Sequence, residues 1–294
     1  MVKTTARTLF GSLLTGMLLC CWMAGCHSQR ASGAEPGASL RVLSFNIRYG
    51  TAKDGQNRWE LRRGQLLQSL REFRADLVGL QEALDFQVQE ISEALPRYQV
   101  IGIGRDQGGG GEQCTLLLDR ERFRVLRSGT FWLSPEPERE ASKGWDAALP
   151  RICTWAELED RHSGQRLAWL NTHFDHRGKR AREESARLIH RRAREFEGLP
   201  VIVTGDLNAG EDSQVLAYLK GGWLRDSYRV HQPEGAPAGT FNGFQDRSSG
   251  PKIDYVLVCP RWDVQRAWID RPRLAGRPPS DHEPVLADLL PLPD

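Results

Sequence analysis

Cysteine is scarce, neither sign of charge is in excess, and no apolar run is long; each shortage excludes something. Six cysteines occur in 294 residues. Cys20, Cys21 and Cys26 crowd the N-terminus, which leaves Cys114, Cys153 and Cys259. No metal-ligand spacing links these three, so a cysteine-held metal centre is excluded. Their odd number allows at most one disulfide with one free buried thiol, and three buried free thiols fit equally well. The apolar stretch from Leu13 to Leu19 is too short to cross a bilayer. Lys and Arg number 40 against 38 Asp and Glu. Residues 1–25 carry Lys3 and Arg7 and no acid, so the remainder is neutral, which counts against a strong sequence-independent grip on nucleic acid. Arg177, Lys179, Arg180, Arg182, Arg187, Arg191, Arg192 and Arg194 do cluster. Glu183, Glu184, Glu195 and Glu197 are interspersed among them, and the segment reads as a solvated helix with internal ion pairs rather than a basic patch.

Basic residues, a short apolar stretch and Met23-Ala24-Gly25 before Cys26 have the layout of a secretory signal. The last four resemble the lipobox of bacterial lipoproteins, with Met23 where Leu is usual. That resemblance implies lipidation of Cys26 and an envelope protein facing the periplasm or the exterior. An ordinary cleaved signal would give a secreted protein instead. Residues 26–38 are small and polar and suit a flexible tether.

Residues 39–294 run without an internal repeat or a low-complexity break and read as one large domain. Strands are expected at Arg41–Ile47, Asp76–Leu80, Ile152–Leu158, Arg166–Asn171, Val201–Thr204, Ile253–Val258 and Val285–Leu289. Tyr98–Gly104 and Gln113–Leu118 form a hairpin whose tip, Gly108–Gly111, lies between strands and so is not a phosphate-cradling loop. Helices are expected at Trp59–Phe73, Phe86–Leu95, Lys179–Phe196 and Ser213–Leu219. Many strands follow one another with no helix between them, which favours antiparallel sheets packed together with helices outside.

Small polar groups sit at the ends of these strands: Asn46, Glu82, His173, Asp206, Asn208, Asp254, Asp281 and His282. Such an oxygen-rich set suits Mg²⁺ or Mn²⁺ rather than zinc. A cation can neutralise charge on a phosphoryl oxygen, while an imidazole held by a carboxylate takes a proton from water. Singly, each residue has an ordinary reading as a turn, a loop or a satisfied core group. Jointly they are hard to dismiss.

The segments Ser44-Phe45-Asn46-Ile47-Arg48, Leu80-Gln81-Glu82, Asn171-Thr172-His173-Phe174, Thr204-Gly205-Asp206-Leu207-Asn208, Ile253-Asp254-Tyr255-Val256 and Ser280-Asp281-His282-Glu283-Pro284-Val285 resemble, in order, the motifs of the endonuclease/exonuclease/phosphatase superfamily. The resemblance implies a four-layer α/β/β/α sandwich of two mixed, mainly antiparallel sheets. It makes Glu82 the principal metal ligand, assisted by Asn46 and Asp281, with Mg²⁺ as the cofactor and Mn²⁺ as a substitute. It makes His282 the general base, oriented by Asp254, and has Asp206 position or activate the attacking water. Asn208 and His173 then bind the phosphate and stabilise its developing charge.

A second group is similar to narrower branches. Trp59, Glu60, Arg62 and Arg63 resemble a segment of nocturnin-like deadenylases. Phe131-Trp132-Leu133-Ser134, Gly144 to Arg151 and Asp175-His176-Arg177-Gly178 resemble an exported bacterial branch. From these, Arg151 and His176 are expected to bind a substrate phosphate, with a structural salt bridge as the other reading of Arg151. Trp132 and Trp145 read as packing or as a stacking surface for a base or sugar. The function implied is metal-dependent hydrolysis of phosphate mono- or diesters in a phosphorylated small molecule, a lipid head group or nucleotides. The alternatives are a 3′-5′ exonuclease or endonuclease on nucleic acid and, from another class, a surface-displayed binding module without catalysis. Intact acidic, amide and histidine positions argue against the last.

Overall fold

Alternation along the first strand sets the layering. In β1 (Leu40–Asn46), Leu43 and Phe45 join the apolar cluster of Trp59, Leu66, Leu70 and Phe73, whereas Leu40 and Val42 join a second cluster with Trp169 and Val256. Period-two side chains thus serve two different layers. The computed structural model describes residues 39–232, 235, 238–245 and 250–292; the expected signal, the tether and Cys26 lie outside these.

The elements after β1 are α1 (Trp59–Phe73), β2 (Leu77–Gln81), α2 (Asp85–Ala94), β3 (Tyr98–Ile101), β4 (Leu116–Asp119), β5 (Phe123–Trp132), β6 (Ile152–Asp160) and β7 (Arg166–His173). They continue with α3 (Lys179–Arg194), β8 (Val201–Asp206), α4 (Gln214–Lys220), β9 (Arg225–Asp226), α5 (Ser227–His231), β10 (Asp254–Val258), β11 (Trp262–Ile269) and β12 (Val285–Pro291). Two six-stranded sheets run β11-β12-β1-β2-β4-β3 and β5-β6-β7-β8-β10-β9. Each has one parallel pair, β1 with β2 and β7 with β8, and its other pairs are antiparallel. Residues of α1 and α2 pack on the first sheet, and those of α3 and α4 join the core of the second. The protein is therefore an α/β/β/α sandwich. Among the described residues no helix is long and apolar enough to cross a membrane.

Between the sheets runs a polar seam. Asn171 donates to the carbonyls of Leu80 (2.8 Å) and Thr115 (3.1 Å), and its oxygen accepts from Gln81 Nε2 (2.7 Å) and Thr204 Oγ1 (3.0 Å). A Cβ on Gly79 would lie 2.5 Å from Thr204 Oγ1 and 2.7 Å from Asn171 Oδ1, so only glycine lets β2 approach the facing sheet this closely. The seam fixes the register of β2 against β7 and β8, whose ends carry the polar groups.

Cys114, Cys153 and Cys259 are all free and buried. Burial pushes the Cys114 thiol up to about 12 and Cys153 well above its ordinary value. A thiol reagent near pH 8 is expected to leave all three unmodified in the folded protein and to label all three after denaturation. Rapid labelling of any of them in the native state would contradict this packing.

Candidate active site

The two parallel pairs bring the site together. Asn46 ends β1 opposite Gln81, whose successor is Glu82. His173 ends β7 opposite Asp206, the last residue of β8, and Asp206 in turn lies opposite Asp254, the first residue of β10. Asp281 and His282 arrive from the loop before β12. The backbone bends sharply here: Arg48 (φ 58°), Glu82 (61°) and Asn208 (45°) all take the left-handed conformation. Non-glycine residues held this way cluster at functional sites.

Asn46 Nδ2 bridges two carboxylates, donating to Glu82 Oε1 (3.1 Å) and Asp206 Oδ2 (3.0 Å), while its Oδ1 accepts the Arg48 amide (3.0 Å). Glu82 Oε2 accepts the Tyr49 amide at 3.1 Å. Ser280 Oγ donates to the Asn46 carbonyl (2.7 Å), and Arg48 Nε lies 3.7 Å from Asp281 Oδ2. Burial pushes the Asp281 carboxyl up, and Glu82 adds to this against the opposing charges of His282 and Arg48.

Around Asp206 stand both histidines. His282 Nδ1 is 2.9 Å from Asp254 Oδ2, and its Nε2 is 3.8 Å from Asp206 Oδ2. His173 Nε2 is 3.4 Å from the same Asp206 oxygen and 3.1 Å from Asn208 Nδ2. Burial disfavours a charged His282, yet Asp254 and Asp206 outweigh it and raise its pKa well above the ordinary value. The opposite holds at His173, where burial and the charges of Arg151 and Arg105 press the pKa well below it. Burial and Asp254 push Asp206 up to about 7. The two imidazoles are thus suited to different work, His282 to holding a proton and His173 to hydrogen bonding as a neutral ring.

Two settings offer donors for a cation. Asp206, Asp254 and His282 place ligand atoms within 4.8 Å of one another. There, however, Nδ1 of His282 is already committed to Asp254, as in a proton-handling pair. Glu82 and Asp281 supply hard carboxylate oxygens whose like charges act on one another, an arrangement that suits a divalent cation.

Of the second group, Arg151 is buried and touches His176 and Asp175, while His176 is exposed. Trp132 is packed inside with its indole N–H on the Arg105 carbonyl (2.7 Å), which removes it as a stacking surface; Trp145 is half-buried. Trp59 is buried with its N–H on Glu90. Arg62 donates to the carbonyls of Ile47 (2.7 Å), Arg48 (2.8 Å), Asn57 (2.9 Å) and Pro279 (2.9 Å), clamping the exit of β1 to the loop that carries Asp281. Trp59 and Arg62 thus serve to hold the fold together.

The sequence did not point to Thr240, Phe241 and Asn242. Thr240 Oγ1 accepts the amides of Ile253 (2.9 Å) and Asp254 (3.1 Å), and the Phe241 ring meets His282 edge-on at 5.1 Å. The amide of Asn242 donates to the Asp281 carbonyl at 2.8 Å. Arg105 and Glu112 carry no such signal either, because they flank the glycine-rich hairpin tip on irregular backbone.

The model of the endonuclease/exonuclease/phosphatase family matches residues 43–282, and the chain belongs to that family, whose members are hydrolases acting on phosphate esters. A Bacteroides thetaiotaomicron protein of the same family is 36% identical, covering 86% of this chain and 98% of its own with a TM-score of 0.80. The mannosyl-6-phosphatase of Bacteroides thetaiotaomicron VPI-5482 is 35% identical over 86% of this chain and 100% of its own, at a TM-score of 0.79. The human nocturnin catalytic domain, 20% identical over 86% and 93%, shares the fold at a TM-score of 0.70. No curated protein matches the sequence.

Proposed function

We propose that the protein is a divalent-metal-dependent phosphoesterase in which His282 takes the proton of the attacking water. The observation that carries this reading is the buried Asp254–His282 pair facing Asp206, set beside Glu82 and Asp281 at one rim. Glu82 and Asp281, with Asn46 steering Glu82, would hold Mg²⁺ or Mn²⁺. Such a cation would polarise the phosphoryl group. Asp254 fixes the imidazole with Nε2 toward the reacting centre and, with Asp206, stabilises the imidazolium that forms. Asp206 orients the water. Asn208 and His173 would bind the phosphate and stabilise its developing charge as the water attacks in line.

A phosphorylated sugar is the substrate class we favour, because a 35% identical enzyme matched along its whole length is a mannosyl-6-phosphatase. Balanced charge counts against the nuclease alternative. The purified protein with Mg²⁺ is expected to release inorganic phosphate from hexose 6-phosphates and to leave a labelled single-stranded oligonucleotide intact. Shortening of the oligonucleotide without sugar-phosphate hydrolysis would overturn the choice of substrate.

We further propose export with lipidation at Cys26, supported by the Met23-Ala24-Gly25-Cys26 run. Radiolabelled palmitate should enter the wild-type protein in a bacterial host and be absent from Cys26→Ser. Equal labelling of the two would refute the anchor.

A further inference from the structure

A second recess lies on the outer face of the sheet that carries β5, β6 and β7, away from the catalytic groups. Asn171 of β7 bonds to the facing sheet, so its neighbour Leu170 points the other way, toward the end of α3. There Leu170, Phe131, Trp155 and Phe196 form the apolar floor of a cavity of about 290 Å³. The Trp155 and Phe196 rings meet at 5.5 Å with a tilt of 51°. The volume is near the lower end of small-molecule sites, which likewise combine an apolar lining with a few polar groups.

Gly129 keeps the floor open. It lies opposite Trp155 in the β5–β6 pair, and its φ is outside the left-handed region, so the backbone does not call for glycine. A Cβ at this position would come within 3.0 Å of Trp155 Nε1 and 3.2 Å of Cε2 and Cζ2. Glycine inside a strand weakens it and often marks a place where another group approaches closely. The space it clears borders the donor edge of the indole, and the Trp155 N–H has no hydrogen-bond partner among the described residues. Around this edge the charges cancel. Arg192 pairs with Glu138 and lies 3.6 Å from Glu195, with its guanidinium 5.2 Å from the Phe131 ring. Arg127 donates to the buried Glu157 at 2.8 Å. A guanidinium has more donors, and a carboxylate more lone pairs, than such pairing uses.

We infer that this recess binds a neutral saccharide unit, packed on Trp155 with a hydroxyl accepting the indole N–H. A pyranose presents a C–H face that suits an aromatic ring and a rim of hydroxyls that suits the spare donors and acceptors of paired arginine and glutamate. A charged ligand would have to displace one half of a compensated pair, and a nucleobase has too few polar edges to meet groups on every side. The site is separate from the catalytic rim and does not rest on the phosphoesterase reading.

The test applies ligand-observed saturation-transfer NMR to the purified protein with mannotriose, maltotriose and lactose, followed by fluorescence titration of the sugar bound most tightly. Wild type should bind at least one of them saturably, with a change in tryptophan emission. Trp155→Phe keeps an aromatic ring without the N–H and should weaken binding by about tenfold, the scale of one hydrogen bond, with the emission change lost. Gly129→Val fills the cleared space and should abolish binding while circular dichroism stays that of wild type; if it does not fold, Trp155→Phe carries the comparison. Glu82→Ala, at the catalytic rim, should bind the sugar as wild type does. Binding of none of the sugars, or of adenosine in their place, would overturn the site. Full affinity in either recess variant would do the same, as would a loss in Glu82→Ala, which would put the sugar at the catalytic rim.

Discussion

Replacing His282 with alanine is expected to lower kcat by about 10² to 10⁴-fold, the usual contribution of a positioned general base, while KM stays within a few-fold. The ring is buried between Asp254, Asp206 and Phe241, so no solvent group can stand in for it. Its removal leaves Asp254 without its hydrogen-bond partner and opens a cavity beside Asp206, and some loss of thermal stability should accompany the kinetic effect. Activity is therefore compared at a temperature where circular dichroism shows both proteins folded. Asp254→Asn tests the same pair from the other side: the ring keeps a neighbour but loses the charge that stabilises its protonated form, and kcat should again fall. A His282→Ala enzyme within about threefold of wild type would remove His282 from the mechanism.

The second large effect concerns Glu82. Its carboxylate is pinned by the Tyr49 amide and Asn46 Nδ2 on a backbone held at φ 61°, so the strand end is bent to aim this one side chain. Glu82→Ala should weaken Mn²⁺ binding, measured by calorimetry, by more than the roughly 10 to 100-fold typical of losing an outer-shell partner, and hydrolysis should fall with it. Unchanged Mn²⁺ affinity would move the cation away from Glu82 and Asp281 to the cluster of Asp206, Asp254 and His282.

Which parts of this molecule were legible in the sequence follows from burial. Interior strands such as β1, β2 and β8 are mostly apolar and buried and stand out, as does α1, whose Leu66, Leu70 and Phe73 share one face. The strands that went unrecognised are β5, β9 and β11, and each forms the edge of a sheet. Edge strands carry polar residues and irregularities that blunt further pairing. Thus β5 reads Phe-Arg-Val-Leu-Arg-Ser-Gly-Thr-Phe-Trp with a bulge between Val125 and Arg127, and β11 has one between Val264 and Arg266. The short α5 has too few residues to show a helical period.

The site was legible where its residues end buried strands, because a polar side chain after an apolar run contrasts with what precedes it. Residues on irregular backbone gave no such contrast. Thr240 and Asn242 act through backbone amides and carbonyls, and Arg105 is brought to His173 only by the folding of the hairpin tip. Electrostatic character was hidden for the same reason. The lowered pKa of His173 comes first from burial and then from the charges of Arg151 and Arg105, the latter 68 residues away in the chain.

On the proposed function a divalent cation and His282 together hydrolyse a phosphate ester at this rim. It is tested most directly by stripping the purified protein with EDTA, adding back Mg²⁺, and following phosphate release from p-nitrophenyl phosphate and a hexose 6-phosphate. Release that is absent in the stripped protein, returns with Mg²⁺, and fails to return in Glu82→Ala is the predicted result. Equal release with and without the metal, or none under either condition on any phosphate ester tried, would contradict it.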